Sequence, residues 1–133
     1  MTTTLGYTIF YVADVRATVA FFHDAFELEP MFVTDEGDYG ELATGTTTLA
    51  FAAIPLAMDG LSSGGGFTPS NPNQPPQAAS ITLVSNEFDA LFTQALAAGA
   101  IRYVDPTEKP WGQTVAYVRD ANGILIALAT PVS

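Results

Sequence analysis

The sequence predicts an α+β fold built from two copies of one small module, a strand and a helix followed by three strands. Three observations predict it. The same order of apolar periodicities, period two then helical then period two, runs through the chain twice. The two predicted helices superpose in register, with Asp14 on Glu87, Val15 on Phe88, Val19 on Phe92 and Phe22 on Ala95. A glycine- and proline-rich stretch, 55–76, divides the two runs. The expected organisation is a single domain over 1–133, with module one at about 1–54, a linker at about 55–76 and module two at about 77–133.

Each element has a local cause. Leu5 to Ala13 is rich in Tyr, Thr, Ile, Phe and Val and reads as a strand. Asp14 can cap a helix whose apolar face is Val15, Val19, Phe22 and Phe26, and Pro30 is expected to end that segment. Met31 to Thr34 reads as a short strand, Gly37-Asp38 as a turn and Tyr39 to Ala43 as a strand. Gly45 precedes a further strand, Thr46 to Ala53. The composition of 55–76 suits a mobile loop or hinge rather than a packed element. The pattern then restarts with strand Ser80 to Ser85. Asn86 or Glu87 caps a helix with face Phe88, Leu91, Phe92 and Ala95, stopped by Gly99. Arg102 to Val104 is a short strand and Gln113 to Arg119 another. Asp120-Ala121-Asn122-Gly123 makes a hairpin turn, and Ile124 to Ala129 is the last strand.

Composition excludes several function classes. The chain has 133 residues and no cysteine, so a disulfide framework, a thiolate metal site and a Cys nucleophile are all ruled out. Its formal charge is −10, with only Arg16, Arg102, Lys109 and Arg119 positive. Four cations cannot neutralise a run of phosphates, so neither nucleic acid nor an anionic membrane is an expected partner. The acidic field favours a cationic ligand, or simply keeps the chain in solution. The N-terminus lacks the basic start and apolar run of a signal peptide, which makes a cytoplasmic protein the expectation. Gly64-Gly65-Gly66 is not followed by the Lys-Ser/Thr of a phosphate-binding loop, and there is no Gly-x-Ser-x-Gly elbow.

Three stretches carry a resemblance. They are Tyr7 to Asp14 with Ala20 to Phe26; Ala97-Ala98-Gly99-Ala100; and Lys109-Pro110-Trp111-Gly112-Gln113 with Tyr117 to Gly123. The last is the most specific. Together they resemble the vicinal-oxygen-chelate superfamily of glyoxalase I, extradiol dioxygenases, fosfomycin-modifying enzymes and bleomycin-resistance proteins. The resemblance implies βαβββ modules, cupped mixed sheets around a cavity and a homodimer, with modules pairing within a chain or across the dimer.

Metal-dependent members of that superfamily place a His or Glu on the first and last strand of each module. Those positions fall here on Tyr7, Leu49, Ser80 and Ala127. None is a His or a carboxylate, so neither a metal nor another cofactor is expected. The one histidine, His23, lies on the first helix, away from the strands. Asp35, Glu36, Asp38 and Glu41 flank Gly37 and Gly40 and read as a solvated edge.

Strand alternation assigns the cup lining. Tyr7, Ile9 and Tyr11 face it from the first strand, Leu49 and Phe51 from the fourth. Ser80, Thr82 and Val84 face it in module two, with Leu125, Ala127 and Ala129. Trp111 at a strand entrance is placed to stack on a planar or cationic ligand, with Gln113 offering a hydrogen bond; Tyr39 and Tyr117 are further aromatic candidates. Arg119 and Asp120 read as structural. No catalytic residue emerges. The leading expectation is a metal-independent binding protein resembling the bleomycin-resistance type, holding an aromatic or cationic small molecule in an apolar cup. The alternatives are a glyoxalase-like lyase or isomerase with an atypical or absent metal site, and an interaction protein whose cup is filled.

Overall fold

The computed structural model describes residues Met1 to Val132. It divides into two compact units, Met1–His23 with Glu27–Pro69, and Asp24–Phe26 with the chain from Ser70 onward.

In the first unit β1 (Tyr7–Val12) leads into α1 (Val15–Phe26), then β2 (Glu29–Val33), β3 (Tyr39–Ala43) and β4 (Thr48–Ala53). The strands form one sheet in the order β1-β4-β3-β2. β1 pairs with β4 in parallel, as a crossover through α1 requires, and the other pairs are antiparallel. Asp14 caps α1 as predicted: its carboxylate accepts from the Ala17 N–H at 3.0 Å. Val15, Val19 and Phe22 are buried, and the Phe22 ring lies 4.9 Å from that of Phe51. Gly40 sits under this helix. A Cβ there would stand 3.2 Å from the side chains of Val15 and Val19.

The segment expected to be a loop is partly ordered into α2 (Ile54–Leu61) and a single 3-10 turn, Ser62–Gly64. Pro55 opens this helix, where its missing N–H is no loss. Phe67 then folds back so that its ring centroid is 4.8 Å from that of Tyr11.

The second unit repeats the plan with β5 (Ile81–Val84), α3 (Phe88–Ala97), β6 (Ile101–Glu108), β7 (Thr114–Arg119) and β8 (Leu125–Ala129), in sheet order β5-β8-β7-β6. Gly99 ends the α3 region at φ +106°, a conformation suited to glycine. Ala116, Val118, Ile126 and Leu128 are completely buried on one face of this sheet. On the other face Val115, Ala127 and Ala129 cluster, with Tyr117 packed against them.

Two predicted boundaries are corrected. Pro30 does not end a segment but lies within β2, and β6 runs through Pro106 well past the expected Val104. Both are edge strands, and both carry register shifts beside the proline. An edge position tolerates a residue without an N–H to donate.

Arg119 fastens residues 71–74 to the β7–β8 hairpin. Its buried guanidinium donates to the carbonyls of Asn71 (3.1 Å), Pro72 (3.3 Å) and Gln74 (2.8 Å), and twice to that of Gly123 (3.1 and 3.0 Å). Asp120 beside it is also buried, and its carboxylate accepts from the N–H groups of Asn122 and Ile124. Burial pushes the Asp120 carboxyl above the ordinary carboxylate range, against the opposing pull of these hydrogen bonds.

Candidate ligand-binding site

The second unit contains a groove of about 390 Å³, lined by Gln77, Ala78, Ala79, Ser80, Tyr103, Val104, Tyr117 and Leu125. Strand pairing explains how it is built. Tyr117 is opposite Ala127, and Val118 opposite Ile126, so Tyr117 and Leu125 project from the face that α3 does not cover. Tyr103 and Val104 rise from the adjoining edge strand. Residues 77–80 approach just before β5. The Arg119 guanidinium lies 5.9 Å from the centre of the Tyr103 ring and helps hold that wall. The chemistry offered is two phenol rings, aliphatic surface and the Ser80 hydroxyl. No carboxylate, imidazole or amine lines the groove.

The predicted site residues separate into groups. Ser80 and Tyr117 line the groove. Thr82 is exposed on β5, paired with Ala127. Ala127 is buried beneath Tyr117. The space left by this small residue is thus partly taken by a neighbouring ring. In the first unit Tyr7 and Ile9 are exposed, as alternation requires, whereas Tyr11 is covered by Phe67.

Leu49 and Phe51 are corrected. β1 pairs Thr8 with Leu49 and Phe10 with Phe51. Phe51 packs on Phe22 of α1, so both residues belong to the helix-covered face. The open-face positions of β4 are Thr48, Ala50 and Ala52. Trp111 and Gln113 are not among the residues that line the groove. They lie at the β6–β7 turn outside the groove, and the Trp111 indole N–H donates to Gln113 Oε1 at 2.7 Å. Gln113 Nε2 in turn donates to the Thr130 carbonyl at 2.9 Å. The indole N–H and the Gln113 amide are thus satisfied within the chain, while the Trp111 ring stays exposed. His23 is exposed on α1, its Nδ1 3.2 Å from the Leu28 carbonyl oxygen.

The sequence reading missed Gln77, Ala78, Ala79, Tyr103 and Val104 of the groove, and Glu41 outside it. Tyr103 and Val104 form a groove wall. Glu41 stands on the open face of the first sheet, paired with Ala50 and with Phe32. The Tyr39 hydroxyl donates to Glu41 Oε2 at 2.7 Å. The Tyr39 phenol is held well above its ordinary range, by burial first, then by that hydrogen bond and the charges of Glu41 and Tyr7. The signal was available in β3, where Tyr39 and Glu41 alternate with Gly40 and Leu42.

The sequence profile described as the Glyoxalase/Bleomycin resistance protein/Dioxygenase superfamily matches residues 4–128. With this match and the paired βαβββ topology, the chain belongs to that superfamily. Solved structures agree on the fold. A glyoxalase-related enzyme from Fulvimarina pelagi has a TM-score of 0.79 at 16% identity, over 98% of this chain and 89% of that one. A glyoxalase/bleomycin resistance protein/dioxygenase family enzyme from Burkholderia phytofirmans PsJN has a TM-score of 0.80 at 18% identity, over 98% and 100%. TioX from Micromonospora sp. ML1 has a TM-score of 0.67 at 18% identity, over 96% and 98%. No curated protein matches the chain in sequence.

A metal of the kind the superfamily implies does not fit these residues. The register replaces Leu49 by Ala50 as the last-strand position, because Ile9 pairs with Ala50 as Thr82 pairs with Ala127. The four positions then offer a phenol, a methyl, a hydroxyl and a second methyl, which is no donor set for a divalent ion. Among the described residues, no group of three or more His, Cys, Asp or Glu could hold a metal ion.

Proposed function

We propose that the chain is a ligand-binding member of its superfamily that takes up a small aromatic compound without a resident metal, in the manner its likeness to bleomycin-resistance proteins suggests. One observation carries this reading: the groove of about 390 Å³ between Tyr103, Val104, Tyr117, Leu125 and Ser80. Its size suits a drug-like or metabolite-like molecule. Its walls supply stacking and apolar contact, and its single side-chain hydroxyl outside the phenols can orient the guest. The net charge of −10 favours a neutral or cationic guest over an anion. The reading includes a homodimer. Support for it comes from the apolar side chains Val84, Ile101, Tyr103 and Val104, each 41–58% exposed on the strands β5 and β6 that edge this sheet.

Isothermal calorimetry with a panel of neutral and cationic planar aromatics tests the proposal. At least one compound is expected to bind saturably, and Tyr117→Ala is expected to weaken it by about tenfold, the loss of one aromatic contact. No heat from any compound, or binding indifferent to both Tyr117→Ala and Tyr103→Ala, would overturn the reading.

A further inference from the structure

We infer that the open face of the first sheet carries a second site, selective for an organic ammonium group, with the Glu41 carboxylate as its anchor. This goes beyond the groove of the other sheet and uses different residues.

The placement follows from the ladders. Gly40 directs its Cβ position at Val15 and Val19 of α1, and Leu42 is fully buried. Glu41, between them, must point the other way. On that side its strand neighbours are Ala50 of β4 and, beyond it, Ile9 of β1; on the other flank is Phe32 of β2. Tyr39, two residues along the same face, lies with its ring 6.0 Å from Phe32. The carboxylate is therefore set among Phe32, Tyr39, Ile9 and the methyl of Ala50, on a residue that is partly buried.

Among the described residues no basic side chain forms an ion pair with that charge. Arg102–Asp105 is the one ion pair among the described residues. Arg16 is used on the carbonyls of Thr34 and Asp35, and Arg119 on the carbonyls of its own hairpin region. The one bond that Glu41 receives, from the Tyr39 hydroxyl, occupies one lone pair of a group that accepts about four. Phe32 and Ile9 stay 46% and 40% exposed, so the apolar bed around the carboxylate is accessible. A carboxylate with spare acceptor capacity beside ring faces selects a cation that also has an apolar body. The N–H groups meet the carboxylate and the rings meet the charge and the hydrocarbon. A bare metal ion would find one carboxylate and a phenol already donating, which is too few ligands. An anion would be repelled.

The test uses the full chain and two probes of the same shape, 2-phenylethylammonium and 2-phenylethanol, followed by heteronuclear NMR at constant ionic strength. The amine is expected to shift the signals of Phe32, Tyr39, Glu41 and Ala50 saturably and to bind at least tenfold more tightly than the alcohol. Glu41→Gln is expected to remove that preference while keeping the dispersed amide spectrum that reports a folded chain. Should Glu41→Gln not fold, the wild-type shift map and the amine-to-alcohol ratio decide alone. Equal affinity for the two probes, shifts confined to the groove residues, or an unchanged preference in Glu41→Gln would each overturn the inference. A groove that binds nothing leaves these readouts intact, so the two proposals fail separately.

Discussion

Replacing Arg119 by methionine removes five hydrogen bonds from one buried side chain. Methionine roughly fills the hydrocarbon stem, so the change isolates the guanidinium. Hydrogen bonds from a charged donor contribute about 1.5–3 kcal/mol each. The sum is not the cost, for two reasons. The carbonyls of Asn71, Pro72 and Gln74 belong to an exposed segment and regain water when released. Burying the guanidinium also carries its own desolvation penalty, which the variant no longer bears. The carbonyl of buried Gly123 loses both of its bonds with less access to solvent. A net destabilisation of about 2–4 kcal/mol follows. For a chain of this length that lowers Tm by roughly 6–15 °C. Thermal unfolding followed by circular dichroism reads the size. Hydrogen exchange reads the place, with faster exchange expected at the Gln74 and Gly123 amides and little change in β1 to β4. Arg119→Lys should recover less than half the loss, since an ammonium cannot reach four carbonyls. A Tm within about 2 °C of wild type would refute the claim that this residue fastens the segment.

Three further outcomes follow from the packing and the charges. Glu27 caps α1 at φ +57°, a left-handed conformation that costs a non-glycine residue about 1 kcal/mol, so Glu27→Gly should raise stability by about that amount in denaturant unfolding. Phe51→Ala should cost about 3–5 kcal/mol because Phe51 is fully buried on Phe22, whereas Thr48→Ala on the other face should cost under ~1 kcal/mol; equal losses would contradict the assigned faces of β4. Tyr39 should keep its proton beyond the usual phenol range when followed by site-specific NMR across alkaline pH. Glu41→Gln should lower that titration only in part, because burial is its larger cause. Since the folded phenol binds its proton more tightly than the unfolded one, this contribution to stability is complete below about pH 10 and is lost as pH rises above it.

Much of the architecture was legible because it rests on local signals. Asp14, Gly99 and the Asp120–Gly123 turn each did what their chemistry predicts, and the apolar faces of α1 and α3 fixed the repeat. The faces of β4 were not legible, for a definite reason. Placing the last-strand position at Leu49 assumes that the turn after Gly45 is as long as the one after Gly123, but Ala50 and not Leu49 takes the place of Ala127. One extra residue after Gly45 moves every side chain of the strand to the opposite face. Pro30 and Pro106 misled because a proline signals an end only where an N–H is needed, and strand position in the sheet is a tertiary fact. Trp111 drew attention as the lone indole. Its partner is Gln113, two residues away, and the groove takes its aromatics from Tyr103 and Tyr117 instead. Glu41 was grouped with the acidic turn by proximity in sequence, while the period of β3 sets it among rings on the sheet.

The account turns on whether the Tyr103–Tyr117 groove receives a guest. A crystal structure of the chain grown with the tightest compound from the calorimetric panel measures this directly. The account predicts density for the compound stacked on Tyr117 or Tyr103, in contact with Leu125 and within hydrogen-bond reach of Ser80. A compound bound elsewhere while the groove stays filled by the chain's own side chains would contradict it.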